Sequence, residues 1–219
     1  RADHLVRQLA AKRLVSYWDK RFELFGPEKA TMPLTIMGAL RDDHEALEIG
    51  FLKAVPANYD ETGRTMLYLD PEKFTSFICT MESMLRALWY VVHTALEDEE
   101  TQKKGIVLIS NPEHAGFMRF ERRFHMMAIK SLKGLLPIRL AASHFCNPPL
   151  YFRAVYPVVR MAVGHRIGKR VHVHAGSERR ILERLEGFGI RRTNLPSNLG
   201  GLMILDHHRW LRDRKCVGL

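Results

Sequence analysis

Four consecutive positions, Ile106-Val107-Leu108-Ile109, are all apolar. A β-strand turns successive side chains to opposite faces, so this one has no face suited to water. It requires a sheet covered on both sides, which argues for parallel strands with helices packed over them. The neighbouring segments agree. Strand-like and helix-like stretches alternate along the chain, the pattern of an α/β protein with a mostly parallel sheet. No internal repeat or low-complexity tract interrupts them.

Leu5, Leu9, Leu14, Trp18, Phe22 and Phe25 recur at helical spacing, which predicts an amphipathic helix over 3–25 ended by Gly26-Pro27. Pro33 and Gly38 mark 27–38 as a linker, and 42–47 has room for a helical turn. Two short strands are expected over 50–56 and 64–70, around Asp60-Glu61-Thr62-Gly63. Pro71 suits the first turn of a helix over about 71–97. That helix would turn Phe74, Phe77, Ile78, Met81, Leu85, Leu88 and Trp89 inward and end at the acidic run Glu97 to Glu100. A helix over about 116–134 carries a basic face of Arg119, Arg122, Arg123, Lys130 and Lys133. A strand over 139–145, a helix over 148–164 and a strand over 170–175 follow. Ser177 then caps a helix that Gly187 and Gly189 stop.

A chain of 219 residues fits one domain with a short appendage. The net charge of +10 favours acidic partners, either an anionic membrane surface or nucleic acid. Near an anionic bilayer each Lys or Arg contributes roughly 1 kcal/mol. Cys79, Cys146 and Cys216 are sparse and odd in number, so they suggest no disulfide framework, and a reducing compartment is expected. No uncharged run reaches the ~20 residues of a membrane span, so membrane contact would be peripheral.

The 148–164 segment is the most unusual helix. Asn147 is placed to cap it, with Pro148 and Pro149 in its first turn. Its charges are Arg153 and Arg160, seven residues apart and therefore on one face. Leu150, Tyr151, Phe152, Val155, Tyr156, Val158, Val159, Met161 and Val163 make up the rest. A helix apolar nearly all round is buried or touches lipid. Pro157 in its interior predicts a kink or hinge, because it removes a hydrogen bond and displaces the Arg153 carbonyl.

Enzyme motifs are absent. The stretch Gly164 to Arg170 has one residue too few between its glycines for a phosphate loop, and Arg170 stands where a Ser or Thr must hold magnesium. Ser110 ends a strand, but Leu108 and Pro112 are not the glycines of a nucleophile elbow. Gly187-Phe188-Gly189 lacks the third glycine of a dinucleotide fingerprint. His172 and His174 share one face of a strand and could hydrogen-bond a ligand if that face looks into a cavity; a metal needs a further ligand that nothing specifies. Phe117, Phe120 and Phe124 interleave the basic residues of 116–134, but aromatics at that spacing are usually core, and no nucleic-acid motif appears.

Four further segments fall in a telling order. They are Leu136-Pro137-Ile138-Arg139, Asn147 to Phe152, Gly168-Lys169-Arg170-Val171-His172-Val173-His174, and Leu195-Pro196-Ser197-Asn198-Leu199-Gly200-Gly201. Tyr17 to Arg21, Gly63-Arg64 with Leu67-Tyr68, and Lys104-Gly105-Ile106-Val107 extend the pattern upstream. The chain resembles the CRAL-TRIO lipid-binding domains, the fold of the yeast phosphatidylinositol-transfer protein and of retinal- and tocopherol-binding proteins. The resemblance runs from about residue 11 to 201. It implies a mixed, mostly parallel five-stranded sheet with flanking helices and a pocket for one lipid, closed by a gate helix at 148–164. It divides the chain into an N-terminal helical segment and linker (1–38), the lipid domain (39–205) and a basic tail (206–219).

Pocket and gate would be built from Leu108, Phe145, Leu150, Tyr151, Phe152, Val155, Tyr156, Pro157, Val159, Val163, His172 and His174. Head-group or membrane contacts would come from Arg139, Arg153, Arg160, Arg166, Lys169 and Arg170. Relatives that transfer phosphatidylinositol use a Pro-Glu-Arg and a Thr-x-x-Lys segment. Here Ile138 replaces the Glu and Arg166 the Thr, so the cations survive and the carboxylate is lost. The resemblance implies a non-catalytic monomer, cytoplasmic and peripherally membrane-bound, that carries a phospholipid or an isoprenoid- or sterol-like molecule and needs no cofactor. A lipid-sensing or scaffold module without transfer is the alternative.

Overall fold

The structure, a computed structural model, describes residues 2–59, 61–74, 78–116 and 121–218, with the side chains of 2–6, 56–59 and 132 left out. Asp60, Phe77, Phe117, Arg119 and Phe120, named above, lie outside the described residues.

Five strands form one sheet in chain order: β1 (Leu52–Tyr59), β2 (Thr65–Leu69), β3 (Ile106–Ser110), β4 (Leu140–Cys146) and β5 (Val171–His174). β1 runs antiparallel to β2, and the other pairings are parallel. β3 is central, with Ile106, Val107 and Ile109 all buried, as its apolar sequence requires. Gly105 precedes it at φ 87, where a Cβ would lie 2.3 Å from the Arg139 carbonyl oxygen. Only glycine lets the two strand starts approach so closely. The pairing of β3 with β4 shifts between Ile106 and Val107, whose partners are Leu140 and Ala142. Ala141 is thus the extra residue of a bulge, and both Leu140 and Ser143 face the same side.

The two faces carry different layers. On one side lie α1 (Ala2–Ala30), α2 (His44–Ile49), α3 (Met81–Ala95), α5 (Arg122–Lys130) and α6 (Phe152–Gly168). Their core includes Leu47, Phe51, Leu67, Leu85, Trp89, Ile106 and Phe124. The other side is covered by α7 (Glu178–Glu186), with Ile181 and Leu185 packed on Met66, Tyr68, Val107 and Ile109. A short α4 (Glu99–Lys104) feeds β3, capped by the Asp98 carboxylate on the Thr101 N–H.

Several local expectations shift. The Leu9, Leu14, Trp18 and Phe22 stripe of α1 is exposed, not buried. Of the expected stripe Phe25 does face the core, together with Tyr17 and Arg21. Tyr17 stacks on Trp89 at 5.3 Å and shares a 3.0 Å hydrogen bond with His93 Nε2, and Arg21 donates to the Met32 carbonyl. Residues 27–38 are not a loose linker, because Ala30 and Ile36 are fully buried. Pro71 begins a single 3-10 turn, and α3 starts only at Met81, capped by Thr80 on the Ser83 N–H. The acidic run does not end α3; Asp98 and Glu99 open the next helix. The described part of the 116–134 segment from Arg122 onward forms α5 and one π turn, Ser131–Leu135.

The chain end packs down as α8 (His207–Cys216). Its Arg214 grips Glu97 through both terminal nitrogens and donates Nε to Tyr90 Oη at 3.0 Å. His207 shares a 2.7 Å hydrogen bond with the Leu47 carbonyl.

The segment from 31 to 43 is anchored by charge. Asp43 is 1% exposed and accepts from Ser83 Oγ at 2.6 Å and from Arg86 Nε and Nη2, each at 2.8 Å. Arg86 also donates to the Leu24 carbonyl, so one guanidinium ties α1, this segment and α3 together. Breaking a buried pair leaves its partner uncompensated at a cost of about 3–5 kcal/mol. Asp43→Ala is therefore expected to lower stability in urea titrations by about that amount; a loss below about 1 kcal/mol would show that this tie is not structural.

Candidate functional site

A cavity of about 160 Å3 lies between the sheet and the larger helical layer. Its floor is Leu67, Leu108, Ser143, Phe145 and Val171. Its walls are Leu88 and Val92 of α3 with Phe124, His125 and Ala128 of α5. Its roof is one stripe of α6, Phe152, Val159 and Val163, whose spacing of seven and four keeps them on one face, continued by Ile167 beyond Gly164. Tyr151, Pro112 and Ala115 close one end. Among the described lining residues none carries a formal charge. Burial holds the His125 pKa below its ordinary value, so that ring is neutral near pH 7. An apolar cavity of about 150 Å3 holds one benzene-sized guest. As closed here, the space takes only a slim molecule.

The roof helix begins later than expected. Asn147 adopts φ 50, a left-handed conformation, and caps nothing; Pro148 and Pro149 belong to the turn before the helix. α6 then passes through Pro157 without a break. Pro157 is exposed, so water can serve the Arg153 carbonyl that the ring leaves unpaired. The departure comes at Gly164, φ 76 and ψ 169, a conformation open to glycine. Lys133, on the π turn, donates to the Ala162 carbonyl at 3.1 Å beside that break. At the other end Tyr151 Oη donates to the Ala115 carbonyl at 2.8 Å. Two hydrogen bonds thus pin the ends of an otherwise apolar roof. Its outer face shows Leu150 and Met161, 80% and 79% exposed, beside Arg153 and Arg160.

Of the residues singled out from sequence, Leu108, Phe145, Tyr151, Phe152, Val159 and Val163 line the cavity. Val155 is buried beside them. Leu150 and Pro157 face outward, and Tyr156 is half-buried against Phe152. His172 and His174 do not reach the cavity, because alternation along β5 gives that face to Val171. They lie on the α7 side, where His144 stacks between them at 5.1 and 5.2 Å and Phe188 closes the group. His144 Nδ1 and His174 Nε2 are 2.9 Å apart. Among the described residues no group of three or more His, Cys, Asp or Glu is placed to hold a metal.

Arg139, Arg166 and Lys169 gather where β4 and β5 begin, all exposed. Arg170 is already committed, donating to the Leu140 carbonyl at 2.5 Å. Leu88, Val92, Phe124, His125 and Ala128 were not singled out from sequence as lining residues. Their helical spacing reads equally well as ordinary core, and only the three-dimensional packing separates wall from core.

The comparisons with known proteins converge on this architecture. A family model described as the CRAL/TRIO domain matches residues 52–201. The chain belongs to the CRAL/TRIO family. Clavesin-2 of Homo sapiens is 31% identical over 200 residues, 89% of this chain and 57% of that protein. Tyrosine-protein phosphatase non-receptor type 9 of Homo sapiens is 28% identical over 127 residues, 58% of this chain but only 20% of that protein. The crystal structure of Sfh5 superposes with a TM-score of 0.54 at 12% identity, covering 80% of this chain and 72% of that one. This CRAL/TRIO chain spans 57% of the length of the clavesin it matches, and its CRAL/TRIO region includes the sheet, the cavity and α6. No helix among the described residues is long and apolar enough to cross a membrane.

The histidine group gives this CRAL/TRIO domain a pH dependence. Burial, then the nearby His172 and Arg184 cations, push His174 down to about 4, and burial lowers His172, His93 and His207. Between about pH 6.5 and 4 the unfolded chain therefore binds more protons than the folded one, and stability falls as pH falls. The urea midpoint is expected to drop steadily from pH 7 to 5, with a shallower slope in His174→Gln. An equal slope in that variant would remove His174 from the account.

Proposed function

We propose that this chain binds a single hydrophobic lipid beneath α6 and exchanges it at anionic membrane surfaces, without catalysis. The observation that carries the reading is a charge-free cavity roofed by a helix whose outer face is also partly apolar. Family membership supports it. Burying methylenes contributes roughly 0.8 kcal/mol each, so a chain of about sixteen carbons gains on the order of 10 kcal/mol on leaving water. Release into water is prohibitive, while release into a bilayer is near neutral because lipid solvates the chain equally well. The protein therefore needs only a gate that opens at a membrane.

The small closed volume means that α6 must move outward to admit a whole lipid. Gly164 is the joint at which it would swing, and the Lys133 and Tyr151 hydrogen bonds are what it would break. Leu150 and Met161 would enter the interface while Arg153 and Arg160 meet anionic head groups. Arg139, Arg166 and Lys169 offer a further cationic patch where β4 and β5 begin. A lipid-sensing or scaffold role without exchange is the second reading, favoured by the same small volume.

Native mass spectrometry of the purified protein, followed by extraction, tests the binding step. A stoichiometric lipid is expected; a protein that is empty and takes nothing from vesicles would reject it. Tyr151→Asp with Phe152→Asp should cut lipid exchange between vesicles by more than about tenfold while the circular dichroism spectrum stays native. Unchanged exchange would mean that α6 is not the gate. Arg153→Ala with Arg160→Ala should weaken binding to anionic vesicles about thirtyfold, at roughly 1 kcal/mol for each lost cation, and the effect should vanish in high salt.

A further inference from the structure

The sheet has two edges, and they are built differently. β1 closes one of them with Pro56 and with a shift in its pairing between Ala54 and Tyr59. Both devices keep foreign strands off an edge. β5 forms the other edge, and among the described residues no strand pairs with its far side. It carries no proline, and it meets β4 in unbroken register from Val171 to His174. Its sequence, Val-His-Val-His, holds no lysine or carboxylate to repel a newcomer.

The backbone shows which groups are on offer. The Arg170 and His174 carbonyls accept from the Ser143 and Asn147 N–H groups, so residues 170, 172 and 174 turn their polar groups to β4. Val171 and Val173, between them, turn theirs outward. Val173 is 40% exposed on the α6 side of the sheet. Phe188 is equally exposed on the other side, its ring 4.5 Å from His172. Apolar surface thus flanks the open backbone on both faces.

Cations stand at both ends of this strip. Lys169 precedes β5 and is exposed. Past the other end, Arg184 donates to the Ala175 carbonyl at 3.3 Å, and Arg180 lies against Gly176, where a Cβ would be 3.7 Å from its Cδ. The acids of α7 are turned elsewhere. Glu183 pairs with Arg179 at 3.7 Å, Glu178 packs beside Gly200, and Glu186, two residues from Arg184, lies across the helix from it. A second copy of the chain is a poor occupant, because antiparallel pairing of two β5 strands would set Lys169 of each against Arg180 and Arg184 of the other. A bilayer is a poor one too, since it offers the edge no row of main-chain groups.

We propose that the β5 edge docks an extended acidic segment of a partner protein, which joins the sheet as a further strand. Its centre is β-branched, and Asp or Glu flank that centre at both ends. Main-chain hydrogen bonds to Val171 and Val173 supply affinity, and the flanking carboxylates on Lys169, Arg180 and Arg184 fix the position. β5 is four residues long, so neither contribution suffices alone. The proposal does not depend on lipid binding.

The probe is a fluorescent peptide with a Val-Thr-Val-Thr-Val centre between two Glu pairs, titrated with the full chain and read by anisotropy. Saturable binding is expected, and Lys in place of Glu should weaken it more than about tenfold. Two methylated peptides report strand addition directly. N-methylation of either the Val or the Thr amides, whichever set faces β5, should cost about tenfold, while the other set costs less than about twofold. Arg180→Glu with Arg184→Glu should also cost about tenfold, with a native circular dichroism spectrum because both side chains are exposed. Val173→Pro should abolish binding, since proline has no N–H to give; the methylated peptides decide the same point if that variant does not fold.

Equal losses in the two methylated peptides, or binding indifferent to Arg180 and Arg184, would overturn the docking site. So would a protein that ignores the peptide and binds phosphatidylserine vesicles through those arginines, or one that dimerises through β5 in sedimentation. None of these results touches the cavity, which lipid uptake reports separately.

Discussion

The pleat of the sheet decides almost everything else here. In a sheet buried on both faces each side chain is assigned to one layer or the other by its place in the alternation. Leu67, Leu108, Phe145 and Val171 are sent to the cavity, while Met66, Val107, His144 and His172 are sent to α7. A single bulge at Ala141 keeps β4 in step with β3 on both sides of it. Without that extra residue Leu140 and Ser143, three apart, would face opposite ways. The cavity wall and the histidine stack are consequences of one register.

The architecture was open to reading because it rests on patterns with a physical cause. An all-apolar β3 fixes a two-sided sheet, the strand–helix alternation fixes parallel connections, and the ordered motifs from Leu136 to Gly201 fix the family. The errors have causes as well. The stripe of Leu9, Leu14, Trp18, Phe22 and Phe25 suggested the buried face of α1, yet of these only Phe25 reaches Trp89, where Tyr17 joins it. Pro and Gly suggested a linker at 27–38, but such residues punctuate packed turns as readily as loose ones.

The candidate site was half visible. The apolar run of α6 named its roof, since a helix without a polar face must be covered on both sides or meet lipid. The break in its helical conformation falls at Gly164 and not at Pro157, because proline advertises a kink in sequence while a glycine does not. A proline ring bends a helix only as far as its surroundings allow, whereas a glycine at positive φ has left the helix altogether. The face of His172 and His174 was beyond sequence, since an alternating pair belongs to one side without naming which. The walls contributed by α3 and α5 were hidden among ordinary core positions.

The order of the strands across the sheet is their order along the chain. Each new strand therefore finds its neighbour already made, and none has to be threaded between two strands in place. A parallel sheet usually folds slowly, because its pairings are distant in sequence. Here growth can proceed from the β1–β2 hairpin toward β5 as the polypeptide emerges from the ribosome. The roof over the cavity lies between β4 and β5 in sequence, so the walls from α3 and α5 and all of the floor but Val171 precede it along the chain.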